Sequence, residues 1–281
     1  MEEPRLGQFC GEYQGLRVPI RWHEWGPPSG RPVVCVHGLT RTGRDFDALA
    51  RALAAAGRRV LCPDVPGRGL SGWLPDPALY AVPTYLALLQ PLLAAVGPHD
   101  FVGTSMGGLI GMAAAAQPEL RTGRLVLNDV GPFLPAAALA RIRAYLAAAP
   151  QEFPDLAALE GHLRRVHAPF GPLSDAEWAH LARHSARITP AGRIALHYDP
   201  RILEPMPEQP TDLDLWALWP QVATGRPVLV LRGEHSDLLD AATAARMAES
   251  PGVQLATIRG VGHAPALMEP GQITLIRDFL G

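Results

Sequence analysis

The sequence predicts an α/β protein with a mostly parallel sheet, flanked by helices and interrupted by one helical insertion. Three observations carry this. Short, nearly continuous apolar runs recur at Val33–Val36, Val60–Cys62, Phe101–Val102, Leu125–Leu127, Val228–Leu231 and Leu255–Ile258. Runs without polar alternation mark strands buried on both faces, as in a parallel sheet. Helical patterns lie between them, and strand–helix alternation implies a doubly wound arrangement. The rhythm breaks between Pro132 and about Pro220, where no strand-like run appears and prolines separate helical stretches.

In chain order, Phe9–Tyr13 and Arg17–Trp25 flank Gln14-Gly15-Leu16 and read as an antiparallel hairpin at one sheet edge. Phe46, Leu49, Ala50 and Leu53 follow the i, i+3, i+4, i+7 rule of an amphipathic helix. Leu86–Val96, Leu109–Gln117 and Ala241–Ala248 also read as helices. Within the insertion, Ser174-Asp175-Ala176-Glu177 matches a capping box, and Trp178, Leu181 and Ala182 give the following helix an apolar face. The insertion enters directly after the C-terminal end of a strand, where open α/β sheets bind ligands, so it is expected to enclose a substrate. The sequence shows no internal repeat, and Ala136–Ala149 is alanine-rich.

Phe101-Val102-Gly103-Thr104-Ser105-Met106-Gly107-Gly108 places Gly-x-Ser-x-Gly between a strand and a helix. That order makes a nucleophile elbow, with Ser105 forced to the tip of a strained turn and glycines where a Cβ would collide. A serine hydroxyl needs a base within reach and a carboxylate to orient the base. Downstream, Arg232-Gly233-Glu234-His235-Ser236-Asp237 follows one strand, and Gly260-Val261-Gly262-His263-Ala264-Pro265 follows another. Ser105, Asp237 and His263 thus each lie just past a strand's C-terminal end and can converge on one crevice. Asp129 also stands after a strand, and His235 is a rival base that stands too near Asp237 in sequence to reach across to Ser105.

These motifs together resemble the α/β-hydrolase superfamily in its capped, serine esterase-like branch. His37-Gly38-Leu39-Thr40 resembles the family's oxyanion loop, and Asp64-Val65-Pro66-Gly67-Arg68-Gly69-Leu70-Ser71 its Asp-x-x-Gly-x-Gly-x-Ser segment. The resemblance covers nearly the whole chain. It implies an α/β-hydrolase fold, a mostly parallel eight-stranded sheet flanked by helices, with core residues 1–131 and 221–281 and a helical cap at 132–220. It favours Asp237 as the acid, because Gly233–Leu238 resembles the acid loop and Asn128–Pro132 the exit into the cap. The backbone N–H groups of Leu39 and Met106 are the implied oxyanion donors, and His37 reads as a structural hydrogen-bonder.

The implied chemistry is hydrolysis of a small-molecule carboxylic ester, with small to medium acyl chains, through an acyl-enzyme and without a cofactor. Ser105 argues against epoxide opening and dehalogenation, whose family members carry aspartate at the elbow. Cleavage of a carbon–carbon bond in ring-cleavage products remains open, with Arg187 or Arg193 as candidate partners for an acidic substrate. Lactone hydrolysis, perhydrolysis and a receptor without turnover also remain open. Trp178, Trp216, Trp219 and Tyr198 make the insertion aromatic, which suits an apolar substrate group or plain packing. His197-Tyr198-Asp199-Pro200 reads as a turn stabilised by Asp199.

Composition bounds the alternatives. The 281 residues are 48% hydrophobic with a formal charge of −2, enough for a large core and without the basic excess that nucleic acid demands. All 25 basic residues are arginine, a compositional bias with little functional weight. Met1–Gln8 is charged and lacks a signal-peptide apolar core, and no stretch approaches the roughly 20 apolar residues of a membrane span, so a cytoplasmic protein without a membrane partner is expected. Cys10, Cys35 and Cys62 read as structural thiols. His180 and His184 stand four apart with no third ligand at a recognisable spacing, and read as a solvated helix face rather than a metal site. Nothing in the sequence sets an oligomeric state.

Overall fold

The continuous apolar runs form strands whose successive side chains enter two different cores. The computed structural model describes residues 3–281, so Met1 and Glu2 of the charged N-terminal stretch lie outside the described residues. The chain opens with β1 (Arg5–Tyr13) and β2 (Leu16–Trp25), antiparallel about Gln14 and Gly15, both at positive φ. It continues through β3 (Pro32–Val36), α1 (Asp47–Ala55), β4 (Arg59–Pro63), α2 (Val82–Val96), β5 (His99–Thr104), α3 (Met106–Ala115) and β6 (Thr122–Asn128). An excursion follows, with β7 (Phe133–Leu134), α4 (Ala136–Ala147), α5 (Leu156–Val166), α6 (Asp175–Ser185), β8 (Ala186–Ile188), β9 (Ile194–Leu196), β10 (Leu213–Asp214) and α7 (Trp219–Ala223). The chain then returns through β11 (Val228–Gly233), α8 (Ala241–Ala248), β12 (Val253–Ile258) and α9 (Pro270–Leu280).

The main sheet has eight strands in the order β1-β2-β4-β3-β5-β6-β11-β12. From β4 onward every neighbouring pair is parallel, and the β1–β2 hairpin joins antiparallel through β2 and β4. Val34, Val36, Phe101, Leu125, Leu127 and Val230 face one core; Val33, Cys35, Val102, Val126, Leu229 and Leu231 face the other. Alternation is therefore present but hidden, since both faces are covered by helices. Leu255 departs from this pattern and is 37% exposed, because β12 is an edge strand with one face only partly covered.

The excursion contains strands that the sequence pattern does not show. β7 pairs with β10 and β8 with β9, each over two or three residues, too short for a period of two to register. The capping box is present: Ser174 Oγ accepts from Glu177 N at 3.3 Å and Glu177 Oε2 accepts from Ser174 N at 2.7 Å. Among the described residues no helix is long and apolar enough to cross a membrane. Cys35 and Cys62 are buried free thiols, whereas Cys10 is exposed on edge strand β1.

Phe101 is fully buried, and its ring packs where a Cβ on Gly111 would come within 2.7 Å. Phe101→Ala leaves a cavity between sheet and α3 and is expected to lower unfolding free energy by about 3–5 kcal/mol in urea titrations; a loss below about 1 kcal/mol would contradict this packing.

Candidate active site

Ser105 occupies the single residue between β5 and α3, at φ 52° and ψ −117°. A non-glycine residue held there costs of order 1–3 kcal/mol and persists only where its surroundings enforce it. Two close approaches enforce it here. A Cβ on Gly107 would stand 1.9 Å from the Val36 carbonyl oxygen, and one on Gly103 would stand 2.4 Å from the Gly107 carbonyl oxygen. Strand register then levels the neighbouring strand ends. Thr104 pairs with Asn128 and Asn128 with Leu231, so Ser105 and Asp129 each begin one residue beyond a shared line.

His263 reaches this line from the loop after β12, and Ser105, His263 and Asp129 form one hydrogen-bonded chain. The His263 Nε2–Ser105 Oγ distance is 2.9 Å and the His263 Nδ1–Asp129 Oδ2 distance 2.7 Å. The carboxylate fixes the tautomer: Nδ1–H donates to Asp129, which leaves Nε2 as acceptor for the serine hydroxyl. Asp129 is fully buried, and its carboxylate also accepts from Gly233 N at 2.8 Å and from Ser236 Oγ at 2.6 Å.

Asp237, expected beside His263, does not stand there. Its side chain is 45% exposed and forms a two-pronged ion pair with Arg141, one prong at 2.8 Å. Burial pushes its carboxyl up, but the Arg141 hydrogen bond and charge outweigh that and hold it below the usual carboxylate value. The reason is local. After β11 the loop turns Ser236 inward onto Asp129, and the next residue, Asp237, faces outward. His235, the rival base, is also exposed and lies 3.7 Å from Glu234.

A cavity of about 220 Å³ opens over Ser105 and His263, and Leu39 and Met106 line it as well. Gly38 O accepts from Arg41 N at 3.1 Å and lies 2.8 Å from His37 Nδ1. In a trans peptide the N–H opposes the carbonyl, so the Leu39 N–H points away from those partners. Arg68, fully buried, secures the next carbonyl by donating from Nε to Leu39 O at 2.8 Å, and donates also to Pro66 O and to Tyr85 Oη. His37 is structural as expected. Its Nε2 accepts from Val65 N at 2.9 Å, and burial pushes the imidazole down to about 4, so it is neutral at pH 7.

Leu109, Val130, Leu134, Leu139, Ile142 and Phe170 give the cavity apolar walls, and Arg41, Arg141, Tyr145 and His167 place polar groups on it. The His167 ring stacks on Phe170 at 4.5 Å, and burial, with Arg41 nearby, pushes its imidazole well below the usual value. Arg141 and Tyr145 lie on α4, within the alanine-rich stretch, where composition gave no signal of a site.

The aromatic residues and arginines singled out in the sequence face elsewhere. Trp178 lies under Arg164 and Trp216 under Arg246, while Trp219 Nε1 donates to Ser250 Oγ at 2.9 Å. Tyr198 lines a separate cavity beside Leu146 and Leu203. Arg187 donates to Leu196 O, and Arg193 lies 3.4 Å from Glu152. Asp199 caps the 3₁₀ turn Pro200–Leu203, as expected, and also accepts from Tyr80 Oη at 2.6 Å. His197 Nδ1 accepts from Gly69 N at 2.9 Å, so this polar cluster fastens the excursion to the loop after β4. His180 and His184, expected on a solvated face, are only partly exposed and meet a buried carboxylate, Asp47.

Residues 33–273 match the family described as Alpha/beta hydrolase family. The chain is 41% identical over 290 residues to a 3-hydroxybutyrate-oligomer hydrolase of Cupriavidus necator, spanning 98% of this chain and 97% of that protein. Among solved structures, an alpha/beta hydrolase from Novosphingobium aromaticivorans is 40% identical with a TM-score of 0.87, covering 100% of this chain and 99% of that one. A putative hydrolase from Rickettsia typhi gives a TM-score of 0.90 at 30% identity, with 98% of each chain covered.

The two carboxylates are separable by stability alone. Ser236→Ala removes a hydrogen bond to a buried carboxylate and is expected to cost about 1.5–3 kcal/mol in chemical denaturation. Asp237→Ala removes an exposed ion pair and is expected to cost less than about 1 kcal/mol.

Proposed function

The chain belongs to the alpha/beta hydrolase family, and on that premise we propose that it is a serine esterase whose catalytic triad is Ser105, His263 and Asp129. The observation that carries this reading is the unbroken hydrogen-bonded chain from the Ser105 hydroxyl through His263 to Asp129 at the floor of a cavity. His263 Nε2 takes the hydroxyl proton as Ser105 Oγ attacks the ester carbonyl carbon. Asp129 stabilises the imidazolium, and His263 returns the proton to the departing alkoxide. Water then repeats the sequence on the acyl-enzyme, with His263 as base.

The backbone N–H groups of Leu39 and Met106 are the oxyanion donors in this reading. Met106 is the residue after the nucleophile, and the Gly38 carbonyl, turned back to Arg41, leaves the Leu39 N–H free to face the developing charge. Residues 132–220 act as a cap over the core formed by 1–131 and 221–281, because α4 and its neighbours supply Leu134, Leu139, Arg141, Ile142 and Tyr145 to the cavity wall.

The wall supports a reading of the substrate class. About 220 Å³ of mainly apolar space accepts a small to medium acyl chain, and Arg41 and Arg141 line it, paired with Asp45 and Asp237, where a substrate carboxylate can share their guanidinium groups. Short oligoesters of hydroxy acids carry both features, and the Cupriavidus necator relative is a 3-hydroxybutyrate-oligomer hydrolase. Ester cleavage is preferred to carbon–carbon cleavage on the likeness to that relative, and Arg187 and Arg193, the arginines first weighed for the alternative, are engaged away from the cavity.

Hydrolysis of p-nitrophenyl esters from acetate to dodecanoate tests the reading. Ser105→Ala is expected to lower kcat by about 10⁴-fold or more and Asp129→Asn by about 10⁴-fold. Asp237→Asn is expected to stay within about tenfold of wild type, since it removes no group from the triad. Equal losses from Asp129→Asn and Asp237→Asn would overturn the acid assignment. With a 3-hydroxybutyrate dimer as substrate, Arg141→Ala is expected to raise KM about tenfold, the scale of one lost charged contact, and to leave KM for the uncharged p-nitrophenyl butyrate within twofold.

A further inference from the structure

Helix α6 brings two histidines against the first turn of α1, away from the Ser105 cavity. His180 and His184 stand one turn apart on one helix face, their rings 4.6 Å apart in a T-shaped arrangement. Asp47, 1% exposed, closes the group, and one donor atom from each of the three residues lies within 4.8 Å of the others. The sequence conceals this cluster, since Asp47 stands far from the two histidines along the chain.

The carboxylate is only half used. Its Oδ2 accepts from Arg44 Nε at 2.8 Å and lies 3.6 Å from Arg51 and 3.5 Å from His180 Nε2. Its Oδ1 is buried and has no hydrogen-bond partner among the described residues. A buried carboxylate oxygen without a partner calls for a cation or a donor. The His180 and His184 imidazoles stand beside this carboxylate with ring nitrogens that can offer lone pairs to a metal.

We propose that Asp47, His180 and His184 form a binding site for one divalent transition-metal ion of the Zn²⁺ class. Two imidazole nitrogens and one carboxylate oxygen are a donor set that Zn²⁺ takes in tetrahedral geometry, with water in the fourth position. Oδ2 is the oxygen nearest His180 Nε2, at 3.5 Å, and Oδ1 is the one left without a partner. Binding exchanges the 3.0 Å contact of His180 Nε2 with the Arg44 carbonyl for a metal bond. Arg44 and Arg51 repel the ion, so the site is weaker than a closed structural zinc centre. A bound ion joins α6 of the excursion to α1 of the sheet domain and stabilises that junction.

The experiment uses the full-length, tag-free chain stripped with EDTA and titrated with ZnCl₂ by calorimetry. One ion per chain is expected for wild type and for His263→Ala, which excludes His263 as the binding group. Affinity is expected to fall more than tenfold in both His180→Gln and His184→Gln, and Zn²⁺ is expected to raise Tm in wild type but in neither variant. Absence of saturable binding by wild type, or binding unchanged in either histidine variant, overturns the proposal. A second readout needs no variant. Co²⁺ bound to wild type is expected to give the intense visible absorption of a four-coordinate site, and the weak spectrum of hexa-aquo cobalt refutes it.

Discussion

The site depends on one buried charge, the carboxylate of Asp129. Removing an ionised carboxylate from water costs several kcal/mol unless donors replace the lost hydration. Here the donors come from Gly233, Ser236 and His263, on the loops that follow β11 and β12. They meet the carboxylate only when β6, β11 and β12 end level, as the pairings Asn128 with Leu231 and Gly233 with Ile258 ensure. Asn128, the preceding residue, extends the arrangement by donating from Nδ2 to Thr104 Oγ1 and to Pro265 O. The elbow, the Asp129 carboxylate and the histidine loop are therefore held through two consecutive residues, Asn128 at the end of β6 and Asp129 just beyond it.

A second buried charge organises the opposite wall. Arg68 cannot shed its proton, so its guanidinium must be satisfied where it stands. It is, by two carbonyls, the Tyr85 hydroxyl, and the ring faces of Tyr80 and Tyr85 at 5.5 and 5.1 Å. Tyr80 in turn donates to Asp199, and His197 accepts from Gly69, so the loop that carries Leu39 and the base of the excursion share one polar network.

Ser105 and His263 were legible because each sits in a local pattern with a steric cause: small residues around a turn in one case, glycines beside a loop after a strand in the other. The position facing His263 Nδ1 was not legible to the same degree. Two strands end in loops that carry an aspartate, and only the fold shows that one loop supplies Asp129 itself while the other supplies Ser236 and Gly233 N as its donors. The sequence pointed to a loop that does serve the carboxylate, and named in it Asp237, which faces outward to Arg141, where the residue turned inward is Ser236. The cavity wall was invisible for another reason. Arg141 and Tyr145 lie in a stretch dominated by alanine, and their meeting with Arg41 and His167 is purely tertiary.

The two ends of the excursion leave the sheet domain side by side. Leu215 N donates to the Pro132 carbonyl at 2.6 Å, and β7 lies antiparallel to β10, so entry and exit are tied together before the segment spreads over the cavity. The residues just before this tie are constrained from the other direction: Asp129 has a positive φ, and a Cβ on Gly131 would stand 2.6 Å from Met247 Sδ. The constraints on the backbone that positions Asp129 therefore end at Gly131, and the tie between entry and exit starts at Pro132. Chimeras that exchange the segment between relatives can retain a working floor if they are spliced there, whereas splices one or two residues earlier cut into the ground on which Asp129 stands.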